Sequence, residues 1–260
     1  MRIVIKVGTS TLTHETGNLN IRRVEALCKV LSDIKNAGDQ VILVSSGAIG
    51  MGVGKLGLGS RPKDMATKQA AAAVGQCELM YIYDKLFGEY HHTVAQLLIT
   101  GDDTANEKRR SNFTTTVERL LELGALPIIN ENDTVSTDEI VIGDNDTLAA
   151  MVAQSVKADL LILLTDIDGL YTADPHTDPT ATRISRVEAV TEEIRALAGG
   201  SGTERGTGGM VTKLRAAEIC TGSGCEMVIA NGSDPLNIYR ILENQEVGTR
   251  FVVKRYENIT

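Results

Sequence analysis

Short, unbroken apolar runs alternate along the chain with stretches whose apolar residues recur every three or four positions. "RIVIKVG", "QVILVSSG", "TVAQLLIT", "ALPIINEND", "ADLLILLTD" and "CEMVIANG" predict strands buried on both faces, because they lack the polar alternation of a half-exposed sheet. Between them lie helical patterns. "IRRVEALCKVLSDIKNAG" places Ile21, Val24, Cys28, Leu31 and Ile34 on one face, with Gly38 as a stop. "GQCELMYIYDKLF", "NFTTTVERLLELG", "DTLAAMVAQSV" and "GGMVTKLRAAEIC" predict further helices. This alternation predicts an α/β fold with a mainly parallel sheet covered by helices on both sides. Ligands of such sheets bind beyond the carboxyl ends of the strands. "KVGTS", "SSGAIGMG", "NENDTV", "TDIDGLYTADP" and "ANGSDP" all fall there, and the strand "QVILVSSG" is expected to run into a glycine-rich turn. "GLYTADPHTDPTATRI" carries the turn residues of a hairpin, and "AGGSGTERGTGG" is expected to be a mobile glycine-rich loop.

At 260 residues, 42% hydrophobic and 23% charged, the chain can form one large domain or two small ones around a sizeable core. A net charge of −8 argues against general binding of nucleic acid or anionic membrane. No apolar run approaches the ~18 residues of a membrane span, and "MRIVIKVG" is too short and strand-like for a signal peptide, so a cytoplasmic address is expected. Cys28, Cys77, Cys220 and Cys225 lack metal-site spacing and are expected to be buried reduced thiols. His91 and His92 precede an apolar run and mark a helix–strand junction.

"GVGKLG" matches G-x-G-x-x-G but stands too far beyond its strand for a dinucleotide loop, and Leu56 occupies the position where a P-loop needs Ser or Thr. "KVGTS" differs: Lys6 ends a strand and Gly8, Thr9 and Ser10 follow, a plausible phosphate cradle beside the bland alternative of a solvated charge. In "GTGGMVTK", glycines precede a helix with Lys213 in its early turns; alone, this is a flexible loop ahead of a helix. "GDNDTLAAMVA" sets Asp144, Asn145 and Asp146 before a small-residue helix, and residue types alone allow a metal site, an acid–base pair, a substrate clamp or a helix cap.

Taken in order, "KVGTSTLT", "VSSGAIGMG", "GQCELMYIYDKLF", "QLLIT", "NENDTVST", "GDNDTLAAMVA", "LLTDIDGLYTADP" and "GTGGMVTK" span nearly the whole chain and resemble the amino-acid kinase superfamily. The likeness is greatest to its branch that phosphorylates glutamate at the start of proline synthesis; aspartokinases would carry K-F-G-G-T-S at the start, and acetylglutamate kinases K-x-G-G. The resemblance implies a three-layer α/β/α sandwich forming a single amino-acid kinase domain over 1–260. Its amino-acid-binding lobe would cover about 1–157 and its ATP-binding lobe about 158–260, without the PUA module that many members add. Lys6 and Lys213 would contact the transferring phosphoryl group. Ser46, Asp133 and Asn145 would hold L-glutamate, with Gly47 and Asn130 beside them. Gly8, Thr165, Asp166, Thr207, Gly208, Gly209, Met210, Val211, Thr212 and Lys213 would line the ATP site. Magnesium would accompany ATP, and proline would inhibit by feedback. A homodimer or homotetramer is implied, with glutamate-5-semialdehyde dehydrogenase as a functional partner. Rival readings are a related kinase with another substrate and a non-catalytic amino-acid or nucleotide sensor.

The implied chemistry needs no general base, since a glutamate side chain with pKa ~4.3 has already lost its proton near neutrality. The site must instead align two anions and offset their repulsion. Lys6 and Lys213 suit that task, and Asp146 suits an organiser of both, beside its bland reading as a first-turn helix acid. Asn145 offers donors and an acceptor to a zwitterion, and Asp133 an anion for its ammonium. Asp168 is expected to serve a turn.

Overall fold

The apolar runs fold into strands that pack from both sides. The computed structural model describes residues 1–14, 18–135, 144–175, 177–198 and 209–253. Strand β1 (Arg2–Val7) leads through the short helix α1 (Thr9–Leu12) to α2 (Ile21–Asn36). Asn20 caps α2 by accepting from Arg23 N, and Gly38, at φ +104°, turns the chain into β2 (Gln40–Ser45). Val24, Cys28, Leu31 and Ile34 are buried as the periodicity predicts. Ile21 is not: it opens the helix and is 61% exposed. The glycine-rich stretch expected to be a turn after β2 is instead helix α3 (Ala48–Lys55), which packs on the long α4 (Met65–Gly88). The next elements are β3 (Val94–Ile99), α5 (Gly101–Ala105), α6 (Glu107–Glu122), β4 (Leu126–Glu131) and α7 (Asn145–Ser155).

The second half continues with β5 (Leu160–Thr165) and the paired short strands β6 (Leu170–Tyr171) and β7 (Arg183–Ile184), the hairpin that the turn residues predict. Then come β8 (Arg186–Val187), α8 (Glu192–Ala198), α9 (Met210–Gly222), β9 (Glu226–Asn231), α10 (Asn237–Leu242) and β10 (Thr249–Phe251). The expected mobile loop, residues 198–209, lies outside the described residues apart from Ala198 and Gly209. One eight-stranded sheet runs β3-β4-β2-β1-β5-β9-β10-β8; the pairings are parallel except β9–β10.

Alternation along the central strands divides the core into two layers. Ile3, Ile5 and Val7 of β1 join Val24, Leu31, Leu79 and Tyr83 of α2 and α4, while Val4 joins Leu148, Val152 and Leu214 of α7 and α9. In β5, Leu160, Ile162 and Leu164 face the first layer, Leu161 and Leu163 the second. This is a three-layer α/β/α sandwich, in which each fully buried Leu or Ile contributes roughly 1.5–3 kcal/mol.

Glycines set the fit of α3 on α4. A Cβ on Gly52 would lie 1.8 Å from Ala71 O, and one on Gly75 1.7 Å from Ala48 O. The "GVGKLG" decoy is thus in part a helix crossing in which backbones touch. Cys28, Cys220 and Cys225 are buried thiols, but Cys77 faces solvent on α4, against the sequence expectation. His91, at φ +61°, lies in the junction between α4 and β3.

Candidate active site

Parallel strands end together, so residues far apart in sequence meet at the carboxyl edge of the sheet. Lys6, on β1, approaches the first turn of α7, where its Nζ lies 2.6 Å from Asp146 Oδ1. Lys213 Nζ, on α9, donates to Asp146 Oδ2 at 3.0 Å. Thr212 Oγ1 donates to the same oxygen at 3.2 Å. All three charged groups are buried. The Lys6 contact is a close, buried ion pair held chiefly by charge. Burial pushes the Asp146 carboxyl up, yet the Lys6 and Lys213 ammoniums outweigh it and hold the group below the ordinary carboxylate range. Two cations on one anion leave a buried positive site in an acidic chain.

Asp144 is the helix cap. Thr147 N donates to its Oδ1 at 2.6 Å, and Thr147 Oγ1 to Oδ2 at 2.9 Å. Burial raises its carboxyl despite those bonds. Between the two acids, Asn145 faces a polar cluster: its Nδ2 donates to Ser46 Oγ at 2.7 Å and to Asn130 Oδ1 at 3.0 Å. Ser46 follows β2, Gly47 takes φ +104° to start α3, and Asn130 lies near the end of β4. Asp133 sits half-buried in the turn after β4 and, among the described residues, makes no hydrogen bond to this cluster. Burial raises its carboxyl, and the Arg61 guanidinium opposes the shift.

On the other flank, Gly8 N donates to Leu164 O at 3.3 Å, tying the loop after β1 to the end of β5. Thr165 Oγ1 donates to Asp166 Oδ1 at 2.9 Å, and Asn231 Nδ2 to Asp166 O at 3.2 Å. Gly209 caps α9, whose first residues are Met210 and Val211; Val211 is 61% exposed and does not face the lysines' partner. Thr207 and Gly208 lie outside the described residues. Asp168 accepts from Tyr171 at 2.8 Å and pairs with Arg183, the turn role expected of it.

Sequence reasoning missed Gln76, Arg61 and Asn231. Gln76 left a signal: it is a polar residue on the apolar stripe Ala72, Leu79, Tyr83 of α4, and its Oε1 accepts from Asn130 Nδ2 at 2.9 Å. Arg61 lies in a loop without periodicity, and Asn231 looks like an ordinary strand end.

The pair of ammonium groups, with the amides of the loop after β1, fits phosphoryl oxygens. Among the described residues no three His, Cys, Asp or Glu side chains gather as a cation cage, and no helix is long and apolar enough to cross a membrane.

Residues 1–231 match the model of the amino acid kinase family. The chain is 53% identical to the glutamate 5-kinase of Clostridium perfringens, over 98% of this chain and 97% of that one. It is 52% identical to that of Listeria innocua, over 98% and 94%. It is 53% identical to the longer glutamate 5-kinase of Caldanaerobacter subterraneus, of which it covers 68%. Among solved structures, carbamate kinase from Giardia lamblia bound to AMP-PNP superposes with a TM-score of 0.69 at 18% identity, over 97% of this chain and 98% of that one. Isopentenyl phosphate kinase from T. acidophilum gives 0.67 at 20%, over 96% and 100%. These two likenesses concern the fold alone.

Proposed function

The chain belongs to the amino acid kinase family and, within it, to the glutamate 5-kinases; on that premise we propose that it transfers the γ-phosphoryl group of ATP to the side-chain carboxylate of L-glutamate. The products are L-glutamyl 5-phosphate and ADP, and the step opens proline synthesis. The observation that carries the reading is the clamp of Lys6 and Lys213 on Asp146, one residue from the Asn145–Ser46–Asn130 cluster.

A carboxylate oxygen of glutamate forms a bond to Pγ while the bond from Pγ to the ADP oxygen breaks; no proton moves. Asn145, Ser46 and Asp133 hold the amino acid, with Gly47 and Asn130 supporting them. Lys6 meets the phosphoryl oxygens from the substrate side, and Lys213 balances the charge that grows on the ADP side. Asp146 keeps both ammoniums aimed inward before substrate arrives, so little reorganisation remains at the moment of transfer. Gly8, Thr165, Asp166 and the segment from Thr207 to Lys213 line the ATP site. Magnesium carried by the ATP phosphates would supply neutralising charge.

The lobes proposed for about 1–157 and about 158–260 share one sheet, joined where β1 pairs with β5. Proline, an amino acid with the same backbone charges, competes at the Asn145 cluster and raises the apparent KM for glutamate. The protein is a cytoplasmic homo-oligomer, and its labile acyl phosphate passes to glutamate-5-semialdehyde dehydrogenase.

The test is ADP release and hydroxamate formation with Mg-ATP and hydroxylamine, offering glutamate, acetylglutamate, aspartate and UMP separately. Hydroxamate from glutamate alone is expected; product from another acceptor alone, or none from any, overturns the reading.

A further inference from the structure

Asn145 can serve a zwitterion through its donor or its acceptor, and nothing within the residue decides which. The decision is made behind it. Both hydrogens of its amide are committed, to Ser46 Oγ at 2.7 Å and Asn130 Oδ1 at 3.0 Å, with only a long 3.5 Å approach to Ser45 O besides. Its own Oδ1 is thereby left as the atom for a ligand. That arrangement requires Asn130 to present oxygen rather than nitrogen. Two contacts impose it: Glu131 N donates to Asn130 Oδ1 at 2.9 Å, and Asn130 Nδ2 donates to Gln76 Oε1 at 2.9 Å.

We propose that Gln76 is a positioning residue for the amino-acid substrate. By accepting from Asn130 it fixes a chain of amides that ends with the Asn145 carbonyl oxygen facing the ammonium group. The inference rests on the glutamate-phosphorylating reading of the site. Without the Gln76 acceptor, the buried Asn130 amide loses a partner, and a buried donor left unpaired is costly. Flipping Asn130 to relieve this would set its NH2 against that of Asn145, turning the second amide too and replacing an acceptor by a donor. Gln76 is itself placed by packing. The neighbouring Gly75 brings α4 against the Ala48 carbonyl at the start of α3, next to Gly47 and Ser46. Two turns further along the same stripe, Tyr83 shares a 2.8 Å hydrogen bond with Ser45. Helix α4 thus supports the substrate loop from behind at two levels, and neither residue need touch the ligand.

The experiment compares Gln76→Met, which keeps the length and loses the acceptor, with Gln76→Glu, which keeps both. Read-outs are KM for glutamate, KM for ATP, kcat and the inhibition constant of glutarate, which has both carboxylates and no ammonium. For Gln76→Met the KM for glutamate should rise about tenfold, the scale of one hydrogen bond. KM for ATP and the glutarate constant should change far less, and Gln76→Glu should recover most of the loss. An unchanged KM for glutamate, equal weakening of glutamate and glutarate, or no rescue by Gln76→Glu overturns the proposal. A wild-type protein that makes no hydroxamate from glutamate overturns the functional reading itself, and this inference with it.

Discussion

Lys6, from the first strand, and Lys213, from a helix near the end of the chain, close on separate oxygens of one buried carboxylate, 2.6 and 3.0 Å from Asp146 Oδ1 and Oδ2. Neither lysine could be buried at low cost alone. Together with Asp146 they form a cationic site already in place when two anions must be brought together.

Replacing Asp146 by Asn should leave two buried ammonium groups facing each other. Breaking such an arrangement costs about 3–5 kcal/mol, and kcat should fall with it. Urea unfolding and initial rates check this; unchanged stability and turnover would show that the lysines do not depend on the carboxylate.

The same group makes an acid-range prediction with a definite sign. Because the folded protein holds the Asp146 carboxyl below its ordinary range, its stabilisation is complete above the unfolded-state pKa of ~3.9 and is lost as pH falls through the lower folded-state value. The stability gap between wild type and Asp146→Asn should therefore narrow on acidification. A gap that stays constant or widens contradicts the linkage.

Lys6→Ala and Lys213→Ala should each lower kcat by about 10²-fold or more, the usual scale for one preorganised charge donor. Steady-state rates at saturating substrates read this out. Near-normal turnover in either variant removes that lysine from the mechanism.

Asp133 titrates in the opposite sense from Asp146. Burial raises its carboxyl, against Arg61, so it takes up a proton at higher pH than an ordinary aspartate. KM for glutamate should therefore climb on acidification, at higher pH than an ordinary aspartate would impose. In Asp133→Asn binding should be weak throughout, without that limb, and Arg61→Ala should move the limb to higher pH. A wild-type KM that stays flat on acidification would separate Asp133 from the ammonium.

Gly75→Ala should be costly, because its Cβ would fall 1.7 Å from Ala48 O, a backbone atom that cannot swing away. Overpacking of this kind costs about 1–3 kcal/mol or more. Gly88→Ala, with nothing within 4 Å of the added carbon, is the control and should lose no stability. Equal melting temperatures for the two variants would deny the tight α3–α4 crossing.

Pattern alone was enough for the layers and for most of the order of elements. Unbroken runs such as "LLILLT" cannot sit in a half-exposed sheet, and the 3.6-residue spacing of Val24, Cys28, Leu31 and Ile34 fixes one buried helix face. It also marked Lys6, Asn145, Asp146 and Lys213 as chemical residues, since strand ends and glycine-led helix starts collect at one edge of a parallel sheet. Its failures were local. Ile21 fits the helical period but opens the helix and is exposed there. Cys77 is apolar by type, yet its neighbour Gln76 holds the inward position. The glycines of α3 looked like a loop because their purpose, contact with α4, is recorded in another segment. Long-range contacts set the division of labour in "GDND": Asp144 closes a helix, Asn145 turns to an amide chain, and Asp146 takes two lysines. Those roles depend on partners from β1, β4, α4 and α9, and a contact between distant segments leaves no period in the sequence to be read.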